Sequence, residues 1–561
     1  MKKLRYAAAV STAALLLCGT AQAASAAPAA SAGQQAQQQQ SSSGPAAAGG
    51  TSWLPTTPPN WPLVVDYSRT TQNELTRGVD QYSETYDTVA GRQHIQVLTA
   101  DLADPNVRTG VVEADDKIIV PSDETTSSMA VRTGAVAGVN GGYFDINATG
   151  QPLGGVISDG TILKSPTPDF DAQLGVRPDG SIVMGQENFS GTVTDGTQSY
   201  PLTSVNTEGD EAAGKITELT SYLGAASGLT AGTLVLGTAT DAAQDAFTVA
   251  SVQTGVTSVP QLAQGEVGLM ASGAGGQWLA GGVHVGDAVG LADQISPDND
   301  LTQLIGGVDM LVKDGQIFDD PTGTPPSGVN PETAIGISED GKHVIAVAID
   351  GHEPENTAVG VSPAEVAGYM VAHGAYTAEL FDGGGSTTEV GREPGAATAS
   401  VLNTPSDQPG NIERPVADGL FFYSTQSQAG PAVKTVINGG APVTTVAGGS
   451  IPVPAYATDS LGNPATGEPA VRVEPPSLAT WANGNLTALR SGTGVLVASD
   501  GRAQSIEKLD VVPRLASLSV SPTDPDVGNA GTQQLTLSGT DPSGHGVEVP
   551  DAAATWQVGP S

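Results

Sequence analysis

From about Val64 to Tyr423 the chain repeats one texture. Short runs of apolar and β-branched residues are each closed by a turn of Gly, Asp or Asn. His94–Leu98, Gly110–Glu113, Ile118–Val120, Ile345–Ile349 and Leu420–Tyr423 are runs of this kind. Runs this short, bounded by residues that tolerate positive φ, fit strands and tight turns and leave little room for ordinary helices. Gly supplies 72 of the 561 residues and aromatic side chains only 4%, so any core here is built from small aliphatic groups. One segment breaks the pattern. Ser362-Pro363-Ala364-Glu365 reads as an N-cap, a Pro at the first helical position and an acid in the first turn. Val366, Tyr369, Met370 and His373 follow at helical spacing and Gly374 stops the run. A second helix is expected near Ser127–Thr133. Strands predominate, so residues 53–425 are expected to form an α+β domain of strand-rich mixed sheets with few helices.

The two ends read differently. Lys2, Lys3 and Arg5 precede an apolar run from Ala7 to Leu17, followed by Ala21-Gln22-Ala23-Ala24-Ser25-Ala26. A basic start, a short apolar stretch and A-x-A sites make residues 1–26 a secretory signal peptide, too short to span a bilayer. Leu17 before Cys18 is larger than the residue that normally precedes a lipidated Cys, which argues against a lipoprotein. Residues 27–52 are Ala/Gln/Ser/Gly-rich and read as a disordered linker. After Ser424 alternating patterns with frequent turns suggest an all-β sandwich over residues 430–513. A second copy begins near residue 514, with Ala-Thr-Trp around both Trp481 and Trp556, and stops at Ser561 as though truncated. Both copies resemble bacterial immunoglobulin-like domains, common spacers on exported proteins.

Charge removes several functions. With Lys+Arg 22 against Asp+Glu 59 and a net charge of -37, the chain lacks the basic surface that displaces counterions from nucleic acid. Anionic lipid surfaces are excluded for the same reason. A single Cys forbids a disulfide framework. His352-Glu353-Pro354-Glu355-Asn356 fails as a zinc-protease motif, because Asn356 stands where the second His belongs and Pro354 would break the helix. No cofactor-binding or metal-ligand cluster is legible; a Ca²⁺ site assembled from scattered carboxylates stays open.

Two Gly-rich turns carry the positive signal. The first is Asn140-Gly141-Gly142-Tyr143-Phe144-Asp145, with Gly154 to Gly160 after it; the second is Asp382-Gly383-Gly384-Gly385-Ser386-Thr387-Thr388. Consecutive glycines beside hydroxyls let backbone N–H groups converge on an anion, and an Asp at the edge of such a turn is a candidate acid, base or nucleophile. A tight structural turn would look the same.

Taken in order, the motifs resemble the phosphodiester glycosidase family. The N-G-G-[FY]-F turn is Asn140 to Phe144, the G-V-N segment is matched by Ser204-Val205-Asn206, and I-G-G-x-x-x-L-V-x-x-G by Ile305 to Gly315. T-A-I-G is Thr333 to Gly336, the D-G turn is Asp350-Gly351, and D-G-G-G-S is Asp382 to Ser386. N-x-P-S-D and E-R-P-V are Asn403 to Asp407 and Glu413 to Val416. At two positions where the family usually has Arg this chain has Glu332 and His352.

The resemblance implies hydrolysis of a sugar-1-phosphodiester, N-acetylglucosamine-1-phosphodiesters among the candidates, in an extracellular or cell-wall glycan. Asp382 is then the leading catalytic carboxylate and Glu413 the second. Gly383, Gly384, Gly385 and Ser386 cradle phosphate or sugar oxygens, Arg414 is the cation, and Asn140, Tyr143, Asn206 and Asp350 complete the substrate site. Each has a structural alternative: Asp382 capping its own turn, Glu413-Arg414 forming a structural pair, Asn140 holding a left-handed turn. Two other functions fit the same chain, a non-catalytic carbohydrate-binding or adhesive surface protein of this fold and a wall-associated scaffold led by the sandwiches.

Overall fold

The computed structural model describes residues 56–167, 172–208, 210–240, 245–318, 328–352, 357–426, 429–521 and 536–549. The signal peptide and linker expected for residues 1–52 lie outside the described residues, as does much of the second repeat.

Among the described residues there are three α-helices, α1 (Thr126–Thr133), α2 (Gly273–Gly282) and α3 (Pro363–Ala372). α3 begins as its sequence predicts: the Ser362 hydroxyl accepts from the Glu365 N–H while the Glu365 carboxylate accepts from the Ser362 N–H. It ends at Ala372, with Gly374 beyond at φ +83. α2 escapes sequence reading because half of it is glycine, which ordinarily weakens a helix. Packing explains it. Gly275 and Gly276 lie where a Cβ would collide with the Gly214 and Ala271 carbonyls, so bare backbone lets the helix sit tightly on its neighbours.

The central sheet has nine strands among the described residues, in the order Val64–Arg69, Val79–Thr88, Gly91–Asp101, His343–Ile349, Glu332–Ile337, Thr377–Leu380, Asp309–Lys313 and Gln316–Ile317, with Asn73–Thr76 pairing beside Val79–Thr88. Its two faces alternate along every strand. One face, through Ile95, Val97, Ala334, Val347 and Leu380, packs on α3 and on Trp61, Tyr86 and Tyr369. The other, through Leu98, Ile335, Ala346 and Phe381, packs on Val139, Leu420 and Phe422. Those last three belong to a five-stranded sheet ordered Ser400–Val401, Glu389–Gly391, Ala137–Asn140, Asp418–Ser424 and Val107–Glu113. Residues 188–296 contribute a closed barrel of seven strands, an architecture finer than the mixed sheets expected from sequence.

Strands within residues 434–512 enclose a core of their own, centred on Ile451, Leu486, Leu496 and Leu509. One sheet continues past this repeat, because Val443–Val446 pairs in parallel with Ala503–Val512 on one side and reaches Glu548 on the other. The 434–512 unit is also docked on the large domain. The Arg77 N–H and the Thr76 hydroxyl donate to the Leu461 carbonyl, and Arg392 donates to the Asn463 side chain. No helix of the described residues is long and apolar enough to cross a membrane.

Candidate active site

The Thr377–Leu380 strand lies antiparallel to Glu332–Ile337, with Ala334 opposite Leu380 and Ile335 opposite Glu379. Beyond Leu380 the chain enters the Gly-rich turn. The Phe381 N–H still donates to the Thr333 carbonyl, the Asp382 N–H donates to the Gly141 carbonyl at 3.0 Å, and the Gly384 N–H donates to the Pro331 carbonyl. The two Gly-rich turns singled out in the sequence therefore meet here.

Asn140 joins them, and not as a sugar ligand. Fully buried, its amide donates to the Asp382 carbonyl at 2.8 Å and to the Gly141 carbonyl at 3.0 Å; its oxygen accepts from the Thr333 hydroxyl and the Thr388 N–H. Both its donors and both lone pairs are engaged inside the protein. Asn206 is a similar correction. It takes the left-handed conformation expected of Asn in a turn (φ +47), but its amide is fully buried on Leu163, Thr220 and the Thr220 N–H. Asp350 is buried as well. One oxygen meets His94 at 2.7 Å and the other accepts from the Thr404 N–H and the Asn403 amide, so it pins the segment carrying Asn403.

Gly384–Ser386 closes as a single 3-10 turn, and this corrects the expected anion cradle. The Gly383 N–H turns to the Asp382 carboxylate, the Gly384 N–H to Pro331, and the Ser386 and Thr387 N–H groups to carbonyls within the turn. The glycines serve close packing instead. A Cβ on Gly385 would collide with both Arg414 and Asp407, and one on Gly383 with the Glu332 carboxylate.

The polar group that remains around Asp382 is compact. Arg414 holds Asp407 through two parallel bonds of 2.9 and 2.7 Å and donates its third nitrogen to the Ser386 hydroxyl at 3.4 Å. Its side chain is 27% exposed, enough to meet a ligand. Burial pushes the Asp382 pKa up to about 6, against the opposing pull of the Ser386 hydrogen bond, Arg414 and the Gly383 N–H. Tyr143 stands beside it; burial, then Asp382, Glu332 and Asp309 push its hydroxyl up to about 12. Glu413 faces away. Its carboxylate accepts from the Ser127 N–H at 2.8 Å and the Ser127 hydroxyl at 2.5 Å, capping the N-terminus of α1, where the helix dipole favours an anion. Glu413 thus supplies structure to α1, not a second carboxylate beside Asp382. His352, with φ +57, is exposed and bonds the Val329 carbonyl at 3.0 Å.

Two acidic residues and a lysine join this group without a sequence signal, and Glu332 joins it too, marked in the sequence only as standing where the family usually has Arg. Glu332 is fully buried against Gly383, and burial, with a smaller push from Asp382 and an opposing pull from Asn330, raises it to about 8. Asp418 is buried against Gly141; burial raises it to about 8, with Lys164 opposing and Asp123 and Asp382 adding. Lys164 is itself buried, its ammonium donating to the Leu153 and Gly154 carbonyls. Asp309 is the third acid. In sequence Asp309, Asp418 and Lys164 look like ordinary solvated charges in short strands, and only their partners across sheets reveal otherwise. Among the described residues no group of three His, Cys, Asp or Glu side chains is arranged to hold a metal ion.

Residues 246–423 match the phosphodiester glycosidase family, a stretch that contains Asp382, Ser386, Asp407 and Arg414. The resemblance read from the motifs is thereby borne out. Over 61 residues the chain is 43% identical to the N-acetylglucosamine-1-phosphodiester α-N-acetylglucosaminidase of Mus musculus, covering 11% of this chain and 12% of that protein. The chain therefore matches only about an eighth of that relative's length. In fold it is similar to a solved protein from Burkholderia pseudomallei, with a TM-score of 0.54 at 18% identity, covering 66% of this chain and 98% of that one. The catalytic domain of the zebrafish N-acetylglucosamine-1-phosphodiester α-N-acetylglucosaminidase, auto-inhibited by its pro-peptide, matches at a TM-score of 0.33 and 16% identity, over 66% of this chain and 86% of that one.

Proposed function

We propose that this chain is an exported hydrolase that cleaves the bond between an anomeric carbon and the phosphate of a sugar-1-phosphodiester. The observation that carries the reading is the Asp382–Ser386–Arg414 group, brought together inside the region that matches the phosphodiester glycosidases. The phosphomonoester leaves as a stable anion, so protonating it matters less than for an ordinary glycoside. What needs stabilisation is the oxocarbenium-like sugar and the charge departing with phosphate. The Asp382 carboxylate faces the sugar carbon; the Ser386 hydroxyl and the exposed edge of Arg414 meet the phosphate oxygens. Export rests on the signal peptide read in residues 1–26, and the C-terminal repeats, read as immunoglobulin-like, would hold the enzyme near a wall or surface glycan.

Asp382→Asn tests this directly. The substitution keeps the shape and most of the hydrogen bonds but removes the carboxylate. Turnover of a sugar-1-phosphodiester is expected to fall by about 10³-fold with Tm nearly unchanged. Full activity in that variant ends the assignment. The non-catalytic carbohydrate-binding reading draws on one observation: Glu332 and His352 stand where the family usually has Arg. Binding of such diesters without any release of sugar would favour it.

A further inference from the structure

Beyond the Ala334–Leu380 pair, the Phe381 N–H bond to the Thr333 carbonyl and the Gly384 N–H bond to the Pro331 carbonyl bracket Glu332 and Asp382 on neighbouring segments. Glu332 is sealed in: fully buried, it leans on Gly383, with the Asn330 side chain opposing the effect of burial. The charged and titratable groups around the pair are few. Tyr143 and Asp309 lie on the acid side, Asp418 lies behind Asp382, and Arg414 is the cation, already held by Asp407. On the adjoining His343–Ile349 strand Glu332 faces Ile349, and the next residue, Asp350, is engaged with His94, Asn403 and Thr404.

We infer that Glu332 is a proton-holding positioning residue for Asp382: its carboxyl stays neutral while Asp382 is ionised, so that the site presents one negative charge fewer to an anionic phosphodiester. The inference rests on the proposed hydrolase reading. Two neighbouring buried carboxyls cannot both ionise cheaply, and the member with less exposure keeps the proton. The directions agree, with Glu332 raised to about 8 and Asp382 to about 6. Glu332 itself is buried behind Gly383 and acts through the field it sets at Asp382. Above the pH at which it ionises, a second negative charge opposes substrate entry, so KM should rise while kcat changes less.

Glu332→Gln removes the ionisation at nearly constant shape. In the wild type, kcat/KM for a sugar-1-phosphodiester should fall about tenfold per pH unit above pH 8. In the variant that alkaline limb should disappear, while the acid limb near pH 6, set by Asp382, stays. Infrared difference spectra of wild type against variant, taken without substrate at pH 7, should show one protonated carboxyl lost. An alkaline limb at the same pH in Glu332→Gln, or no protonated carboxyl in the difference spectrum, overturns the inference. If no diester is hydrolysed at all, the functional reading fails and the infrared result alone decides the state of Glu332.

Discussion

Two buried glutamates share one row of the central sheet and have opposite fates. Register links them directly: Glu84 faces Ile95, Ile95 faces Ile349, and Ile349 faces Glu332. At a strand spacing of about 4.8 Å, three steps put them roughly 14 Å apart on the same face. Glu84 is met by three hydroxyls, Tyr67 at 2.7 Å, Tyr86 at 3.2 Å and Tyr369 at 2.6 Å, with His373 at 3.4 Å. Burial alone would raise its pKa, but the bonds from His373, Tyr369 and Tyr67 outweigh burial and bring it down to about 2. Glu332 has the same burial and none of these partners, and it goes up to about 8. Depth in the fold therefore does not set the charge of a carboxyl; the donors placed around it do. At Glu84 the donors come from aromatic residues that also tie α3 and Trp61 to the sheet, through ring contacts of 5.0 Å between Trp61 and Tyr86 and 4.0 Å between Tyr369 and His373. That is a structural anion. Glu332 stands where the chain turns into the Asp382 loop and gains nothing in stability from its position.

Stability against pH separates the two most sharply. Glu84 has its folded pKa depressed from the usual 4.5 to about 2, so its contribution is present above pH 4.5 and is lost as pH falls toward 2. Glu84→Gln should cost about 3 kcal/mol at pH 7 and flatten the acid limb of the Tm profile. An unchanged acid limb would break the comparison at its firmer end. Glu332 runs the other way. Its folded pKa is raised from 4.5 to about 8, so folding loses stability as pH climbs from 4.5 to 8 and carries the full penalty above. Glu332→Gln should therefore raise stability by about 2 kcal/mol at pH 9 and give no gain at pH 4, the buried amide offsetting part of the relief. Equal effects of the two substitutions at both pH values would mean that the tyrosines and His373 are not what divides them.

How much of this was written in the sequence follows from where each signal lies. The capping box of α3 is a local pattern within Ser362–Glu365 and was legible; the glycine half of α2 hides a helix that only close packing permits. The Asp382–Ser386 turn and Arg414 were legible as motifs, and the structure joins them through the Ser386 hydroxyl. The internal partners of Asn140, Asn206 and Asp350 are not legible, because a polar residue beside a glycine turn looks the same whether its partner is a sugar or a backbone carbonyl. Glu413 and Arg414 are adjacent in sequence yet point apart, one to Ser127 and one to Ser386, as side chains do along an extended segment. Glu332 beside Asp382 was beyond reach for a different reason. Fifty residues separate the two in sequence, and only strand register makes them neighbours.

The smallest effect expected is also a check on the charge count at the site. With Glu332 neutral, Arg414, Asp407 and Asp382 together offer an approaching phosphodiester one formal negative charge. The rest of the protein is strongly acidic, with a net charge of -37. Long-range attraction of an anion is then absent, and salt can only screen repulsion, over a Debye length of about 10 Å at 0.1 M. Raising ionic strength from low to physiological should leave KM flat or lower it by about threefold at most. The response should grow at pH 9, where Glu332 adds its charge, and Glu332→Gln should cancel that growth. A KM that climbs steeply with salt would instead require a basic surface near Asp382 that steers the substrate, and would remove the reason for keeping Glu332 uncharged.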